Sequence, residues 1–248
     1  MDEYIALDLE TTGLDPKIDK IIEIGAVRVS NGHIKETWQQ LINPGRCLNE
    51  RVTKLTGITD EMLNDAKKVE EVLEDFLQFT GDLPLVGHNI LFDYSFMKRA
   101  CVNVGYSYER DGYDTLKLSR VLLPDFEHKN LKYLCDNLKI YGEGYHRALA
   151  DALATAKLFE VLKDQFLVDK EDLFKAKRLI YQVKKEKSIT LHQKEYLNQL
   201  IKCHKIKVTV DIDRLTRNEA SRLTDKLIAQ YGKLPDEMKE WLKKRNKI

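Results

Sequence analysis

Tyr4-Ile5-Ala6-Leu7-Asp8-Leu9-Glu10-Thr11-Thr12-Gly13-Leu14 begins as a nearly continuous apolar run and passes into two carboxylates. A short run of this kind reads as a strand buried on both faces, with its polar end facing a cleft. Ile21 to Ser30 and Ile34 to Ile42 read as two more strands. Asn31-Gly32 joins them, a dipeptide whose tolerance of positive φ suits a tight hairpin. The first third of the chain is therefore expected to form a three-stranded meander around residues 4–10.

Beyond the meander the spacing is mostly helical. Val69, Val72, Leu73, Phe76 and Leu77 recur at helical intervals, Leu85 to His88 form a brief strand, and Phe92, Phe96, Met97 and Ala100 mark the next helix. Asp114-Thr115 opens a helix over Leu116 to Leu123 that Pro124 stops, and Leu131, Leu134, Cys135 and Leu138 stripe another. A long helix from Ala148 to Phe166 closes a first domain, 1–167. Residues 168–187 are charged and predict a helical linker, with helix through Val183. The remainder, 188–248, predicts a small, basic, mainly helical module. Ile189-Thr190-x-x-Gln193 and Leu215-Thr216-x-x-Glu219 each pair a Thr cap with an amide or acid three places on. Leu197, Leu200 and Ile201 line the first helix, and Ala220, Leu223, Leu227 and Ile228 the second. Lys207 to Ile212 between them alternate like a short strand.

With 248 residues, 43% hydrophobic and 33% charged, the chain has the balance of a soluble globular protein. Cys47, Cys101, Cys135 and Cys203 form no C-x-x-C pair, so neither a zinc site nor a disulfide framework is indicated. No apolar run approaches the ~20 residues of a membrane span. The acidic start, Asp2, Glu3, Asp8 and Glu10, is unlike a signal peptide. A cytoplasmic setting without a membrane partner is expected. The net charge of +1 hides a division, because 1–167 hold 20 Lys+Arg against 28 Asp+Glu while 168–248 hold 21 against 12. A basic region of that kind either attracts phosphate backbones or presents solvated helix faces.

The chemistry lies in three patches: Asp8-Leu9-Glu10-Thr11-Thr12-Gly13, Gly87-His88-Asn89-Ile90-Leu91-Phe92-Asp93 and Tyr145-His146-Arg147-Ala148-Leu149-Ala150-Asp151. Asp8 and Glu10, two apart on a strand, project to one face. Asp93 falls in the first turn of a helix, where the dipole favours an anion, and Asp151 comes from the last helix. Clustered carboxylates suit hard divalent cations, and a pair of such ions ~3.5–4 Å apart serves phosphodiester hydrolysis. His146 is five residues before Asp151, ~140° away around an ideal helix, so it belongs in the preceding loop, where Gly142 and Gly144 give freedom. An imidazole, with an ordinary pKa of ~6.5, suits a general base there. His88-Asn89 are expected to shape the site and Asp114 to cap or support it. His33, His128, His192 and His204 read as surface residues.

In this order and at these separations the patches resemble the DnaQ-like family of DEDDh 3′–5′ exonucleases, which includes the epsilon-type and PolC-type proofreading exonucleases of bacterial replication. The resemblance covers roughly residues 3–166 and takes in Leu55-Thr56-Gly57-Ile58-Thr59. Where tyrosine-bearing relatives carry Tyr four before the last Asp, this chain has Arg147, which makes it similar to the histidine subgroup. The resemblance implies a ribonuclease-H-like α/β fold, a mixed five-stranded sheet flanked by helices with its second strand antiparallel. It implies two Mg2+ or Mn2+ ions, with Asp8 bridging both, Glu10 and Asp151 helping to hold the first, and Asp93 acting largely through water. It also implies a substrate site drawn from Thr11, Thr12, Gly13, Leu14, His88, Asn89 and Phe92. The expected activity is release of nucleoside 5′-monophosphates from single-stranded or frayed DNA 3′ ends in proofreading or repair, beside a polymerase or repair partner. An RNA-trimming exoribonuclease of the same fold and a non-catalytic nucleic-acid-binding adaptor are the alternatives.

Overall fold

The computed structural model describes residues 3–140, 146–208, 210–236 and 238, and the chain divides into two compact units, Met1–Val183 and Lys184–Ile248. In the first unit β1 (Glu3–Thr11) pairs antiparallel with β2 (Ile21–Ser30), and β2 pairs antiparallel with β3 (His33–Leu41). Asn31 (φ 51°) and Gly32 (φ 74°) make the expected turn between β2 and β3. On its other side β1 runs parallel to β4 (Leu85–Gly87), which runs parallel to β5 (Asp111–Asp114). A sixth strand, β6 (Lys177–Arg178), adds antiparallel to β5 and completes the order β3-β2-β1-β4-β5-β6. The sheet is the mixed one expected, with a two-residue edge strand beyond the five.

Helices α1 (Glu50–Thr56), α2 (Asp60–Leu63) and α3 (Leu73–Thr80) precede β4, and α4 (Ile90–Val104) follows it. After β5 come α5 (Thr115–Leu122), α6 (Leu131–Asn137) and α7 (Ala148–Phe166). Residues of β1 alternate between two cores, which is why its sequence is apolar throughout. Tyr4 and Ala6 face a cluster with Leu134 and with Ala152, Leu158 and Phe159 of α7, whereas Ile5, Leu7 and Leu9 face one with Phe76 of α3 and Met97 of α4. Asp8 and Glu10 continue the first set and so point to the α7 side.

The expectation of helix over 168–183 does not hold. A single 3₁₀ turn at Glu171–Phe174 is followed by β6 and extended chain. Leu173, Phe174 and Ala176 pack into the core on the α7 side, while Leu179 and Tyr181 pack into the core on the other side. The segment wraps the edge of the sheet from one face to the other, and a helix with a single apolar face could not reach both. The strand expected over Lys207 to Ile212 is also corrected. Thr209 lies outside the described residues, and among the described ones Ile212 belongs to a 3₁₀ turn, Ile212–Arg214. Val210 and Ile212 instead pack onto the small core of the second unit.

That unit is built on α8 (Leu191–Cys203) and α9 (Arg217–Tyr231), and both capping boxes form. Thr190 Oγ1 accepts from Gln193 N at 3.1 Å and Thr216 Oγ1 from Glu219 N at 3.3 Å. A bridge between Ser188 and Thr216 sets the two helix starts side by side. Leu197, Leu200, Ala220 and Leu227 are buried between the helices.

One close backbone contact seats the start of the long helix on the sheet. Gly25 of β2 lies under the first turn of α7, where an added Cβ would stand 2.2 Å from the Ala148 carbonyl carbon and the Leu149 nitrogen. Backbone on both sides leaves nothing to yield. Gly25→Ala is predicted to cost about 3 kcal/mol through overpacking, read as a lower urea midpoint at unchanged m value. A loss below ~0.5 kcal/mol, within the range of ordinary surface substitutions, would mean that α7 is not seated on this strand.

Candidate active site

Strand pairing sets Asp8 opposite Gly25 and Glu10 opposite Glu23, all on the face that α7 covers. Asp151 enters from the first turn of α7. One carboxylate oxygen from each of Asp8, Glu10 and Asp151 lies within 4.8 Å of the others, and all three residues are partly buried. Oδ2 of Asp151 accepts from the backbone N–H of His146 at 3.2 Å, while the buried Oδ1 has no hydrogen-bond partner.

Asp93 reaches the site from the opposite face of the sheet. It is 3% exposed in the first turn of α4, and its Oδ1 accepts from Leu9 N at 3.0 Å. Pairing of β1 with β4 ends at Ala6 and Val86, so this carboxylate supplies an acceptor that no strand provides at Leu9. Asp93 thereby joins the end of β1 to α4, outside the group of three that shares the 4.8 Å cluster.

These acids oppose one another's ionisation. Desolvation holds the Asp8 carboxyl well above the usual range, and Asp93, Asp151, Glu10 and Glu23 add to the effect. Asp93 is likewise held well up, by burial first, against the hydrogen bonds it accepts. Burial, then Asp151 and Glu23, push Glu10 up to about 7, with Arg147 opposing. Burial also raises Asp151, against the His146 N–H. Crowded oxygen ligands, one of them unsatisfied, fit a hard divalent cation, which would favour their ionised forms.

His146 stands outside α7, immediately before the N-cap Arg147, with φ 67° and its side chain exposed. Its position in the loop is as the helical geometry required. Gly142, Gly144 and Tyr145 lie outside the described residues. The segment after β1 is ordered by its own polar groups. The Thr11 hydroxyl donates to Gly13 O at 2.6 Å and the Thr12 hydroxyl to Asp19 Oδ1 at 3.1 Å. Leu14 projects from this loop 84% exposed. Phe92 is partly exposed on α4 and packs on Phe96 with ring centroids 5.0 Å apart.

His88 has both ring nitrogens engaged. Nε2 lies 2.7 Å from the Lys129 carbonyl, which can only accept, so Nε2 carries the proton, and Nδ1 lies 2.9 Å from the Thr115 hydroxyl oxygen. Burial lowers its pKa, in keeping with a neutral ring. This histidine ties the end of β4 to two other segments. Asn89 sits in the left-handed region (φ 77°), its N–H held 3.1 Å from Asp114 Oδ1, the same oxygen that accepts from Leu116 N and Lys117 N to cap α5.

A residue outside the motifs, Glu23, completes the site together with its partner Arg147 from the third patch. Glu23 is 0% exposed, and its carboxylate takes the Arg147 guanidinium, with Nε at 3.0 Å and Nη2 at 2.6 Å, the Ala148 N–H at 3.0 Å and the Gln39 amide at 2.8 Å. Burial acts to raise its pKa, and these hydrogen bonds overcome it and lower it. The available signal in the sequence is a charge inside Ile21-Ile22-Glu23-Ile24, in a strand otherwise apolar at that end.

Comparison with known proteins adds the family. A family model described as Exonuclease, of the RNase T type, matches residues 5–159. The DNA polymerase III PolC-type protein of Clostridium perfringens is 40% identical over 172 residues, 69% of this chain and 12% of that protein. Its counterpart from Thermotoga maritima is 42% identical over 157 residues, 63% of this chain and 11% of that one. The chain thus spans only about a tenth of the length of these relatives. Among solved structures, Exonuclease X in complex with 5′ overhanging duplex DNA is 26% identical, with a TM-score of 0.55 over 66% of this chain and 92% of that one. E. coli Exonuclease I in complex with a dA16 oligonucleotide is 18% identical and shares the fold, with a TM-score of 0.62 over 70% of this chain and 43% of that one. Matched over more than half of its length, the chain belongs to the RNase T-type exonuclease family, among the DnaQ-like DEDDh nucleases.

Proposed function

We propose that the chain is a divalent-cation-dependent 3′–5′ exonuclease that releases nucleoside 5′-monophosphates from single-stranded or frayed DNA 3′ ends, in proofreading or repair. The observation that carries this is the convergence of Asp8, Glu10 and Asp151, with one Asp151 oxygen left unsatisfied. PolC-type relatives near 40% identity support the DNA and polymerase setting. Asp8, Glu10 and Asp151 would hold Mg2+ or Mn2+, two ions in all, and Asp93 would support them. Bound there, such ions supply a more acidic water and a counter-charge for the phosphoryl oxygens.

The chain's own groups do the rest. The His146 imidazole, exposed beside the cluster, takes up the proton of the attacking water. Leu14 and Phe92 present apolar surface to the terminal nucleotide, and Thr11, Thr12 and Gly13 fix the loop that carries Leu14. His88 and Asn89 hold the start of α4, and with it Asp93, in register with β1. The basic region 188–248 would hold nucleic acid or dock a partner.

Digestion of 5′-labelled single-stranded DNA and matched RNA, with Mg2+ or with chelator, tests the reading. Stepwise shortening from the 3′ end of the DNA, abolished by chelator, is expected. Asp8→Ala and Asp151→Ala should lose about 10³-fold or more in rate, and His146→Gln about 10²–10⁴-fold. Faster digestion of RNA would move the assignment to an exoribonuclease, and Asp8→Ala at wild-type rate would remove it. In the same assay a chain ending at Lys187 should bind long strands more weakly, with a salt slope smaller by ~0.7 for each phosphate no longer neutralised. Unchanged binding would leave the module to protein contacts.

Without the cation, the stability of the fold depends on pH. Because the Asp8, Asp93 and Glu10 carboxyls are raised, the metal-free fold keeps protons that the unfolded chain has released. Metal-free stability should therefore fall as pH rises from ~4 towards the Glu10 value of about 7, by roughly 2–3 kcal/mol from Glu10 alone, with Asp8 and Asp93 acting in the same direction. Glu23, whose pKa is lowered, acts in the other direction and only in acid. Thermal midpoints in chelator should be higher at pH 5.5 than at pH 8, and Mn2+ should raise the pH 8 midpoint selectively. A midpoint in chelator that climbs from pH 5.5 to pH 8 contradicts the account.

A further inference from the structure

We propose that Glu23 and Arg147 form a positioning pair that sets where His146 and Asp151 stand relative to the sheet. The inference rests on the exonuclease reading of the site. Helix α7 lacks a cap of its own, since the N-cap residue is Arg147 and a guanidinium has no acceptor to offer the free N–H groups of a first turn. Glu23 supplies that acceptor from β2, taking the Ala148 N–H at 3.0 Å. A carboxylate at a helix N-terminus is also favoured by the dipole. The same carboxylate takes two nitrogens of the Arg147 fork, and Gln39 fills a further acceptor position. With no water-exposed surface on Glu23, its direction is fixed by these partners.

What the pair holds is the backbone on both sides of Arg147. The Arg147 carbonyl accepts from Asp151 N at 3.0 Å, and the His146 N–H donates to Asp151 Oδ2 at 3.2 Å. His146 and Asp151 therefore hang from Arg147, whose side chain Glu23 clamps. Glu23 in turn lies directly across the β1–β2 pair from Glu10, and Gly25 across from Asp8. The clamp thus refers the base and the third carboxylate to the same two strand positions that present the other two. Asp8 and Glu10 have their places on β1 without it. Loss of the clamp should accordingly misplace His146 and Asp151 while leaving substrate binding along the rest of the site in place.

Arg147→Lys keeps the charge and loses the fork, which a point-like ammonium does not reproduce. Because Arg147→Ala leaves a buried carboxylate uncompensated and endangers folding, the second variant is the double replacement Glu23→Gln with Arg147→Gln. It keeps polar groups at both positions and removes both charges. Full-length wild type and variants are compared on labelled single-stranded DNA at a temperature well below each midpoint, with kcat and KM measured separately. Both variants should lose about 10–100-fold in kcat, the scale of a misplacement near 1 Å, with KM within about threefold, and Arg147→Lys should be the less impaired. Folded variants with kcat within about threefold of wild type overturn the proposal. So does a loss that vanishes once the unfolded fraction is corrected for, because that is a stability role alone. A wild-type chain without chelator-sensitive digestion fails the exonuclease reading before either variant is compared.

Discussion

Asp8, Glu10 and Asp151 are held together against their own repulsion, and the rest of the first unit is arranged to make that possible. Burial raises all three carboxyls, and neighbouring acids raise Asp8 and Glu10 further, so the cluster resists ionisation. Nothing local favours the gathering, so distant packing must impose it. Two elements do so: a central strand buried on both faces, and a long helix whose first turn lies directly over Gly25 of the neighbouring strand.

The site is then assembled from three directions, each with its own fastening. Strand β1 presents Asp8 and Glu10 by simple alternation. Helix α4 brings Asp93 around the end of the sheet, fastened by the hydrogen bond from Leu9 N and steadied by the His88 and Asn89 contacts. Helix α7 brings Asp151, with His146 just ahead of it in the left-handed region. Strand β1 and helix α7 thus set three carboxylates within 4.8 Å of one another, an oxygen cluster that suits a hard cation, with Asp93 fastened beside them and not among them.

Much of this is legible in the residues. The apolar run before Asp8, the Asn31-Gly32 turn, the bounds of α7 and both Thr caps of the second unit follow from local chemistry, and the structure has them. The five-residue interval between His146 and Asp151 places the histidine off the helix by geometry alone. What escapes a local reading is set by long-range contact. Strand β5 is four residues containing two acids and a glycine, and it is a strand because β4 and β6 lie on either side of it. The segment after Val168 looks helical by its charges, yet its apolar residues serve two different cores, a fact of tertiary structure. Glu23 is visible as a charge in an apolar strand, but its partners lie 124 and 125 residues away.

Whether those three carboxylates are a cation site decides the function of the whole first unit. Crystals grown or soaked with Mn2+ and measured for anomalous scattering address this directly. A strong peak bounded by carboxylate oxygens of Asp8, Glu10 and Asp151 is expected. Manganese bound elsewhere with that position empty, or the three side chains turned away from one another, would contradict it.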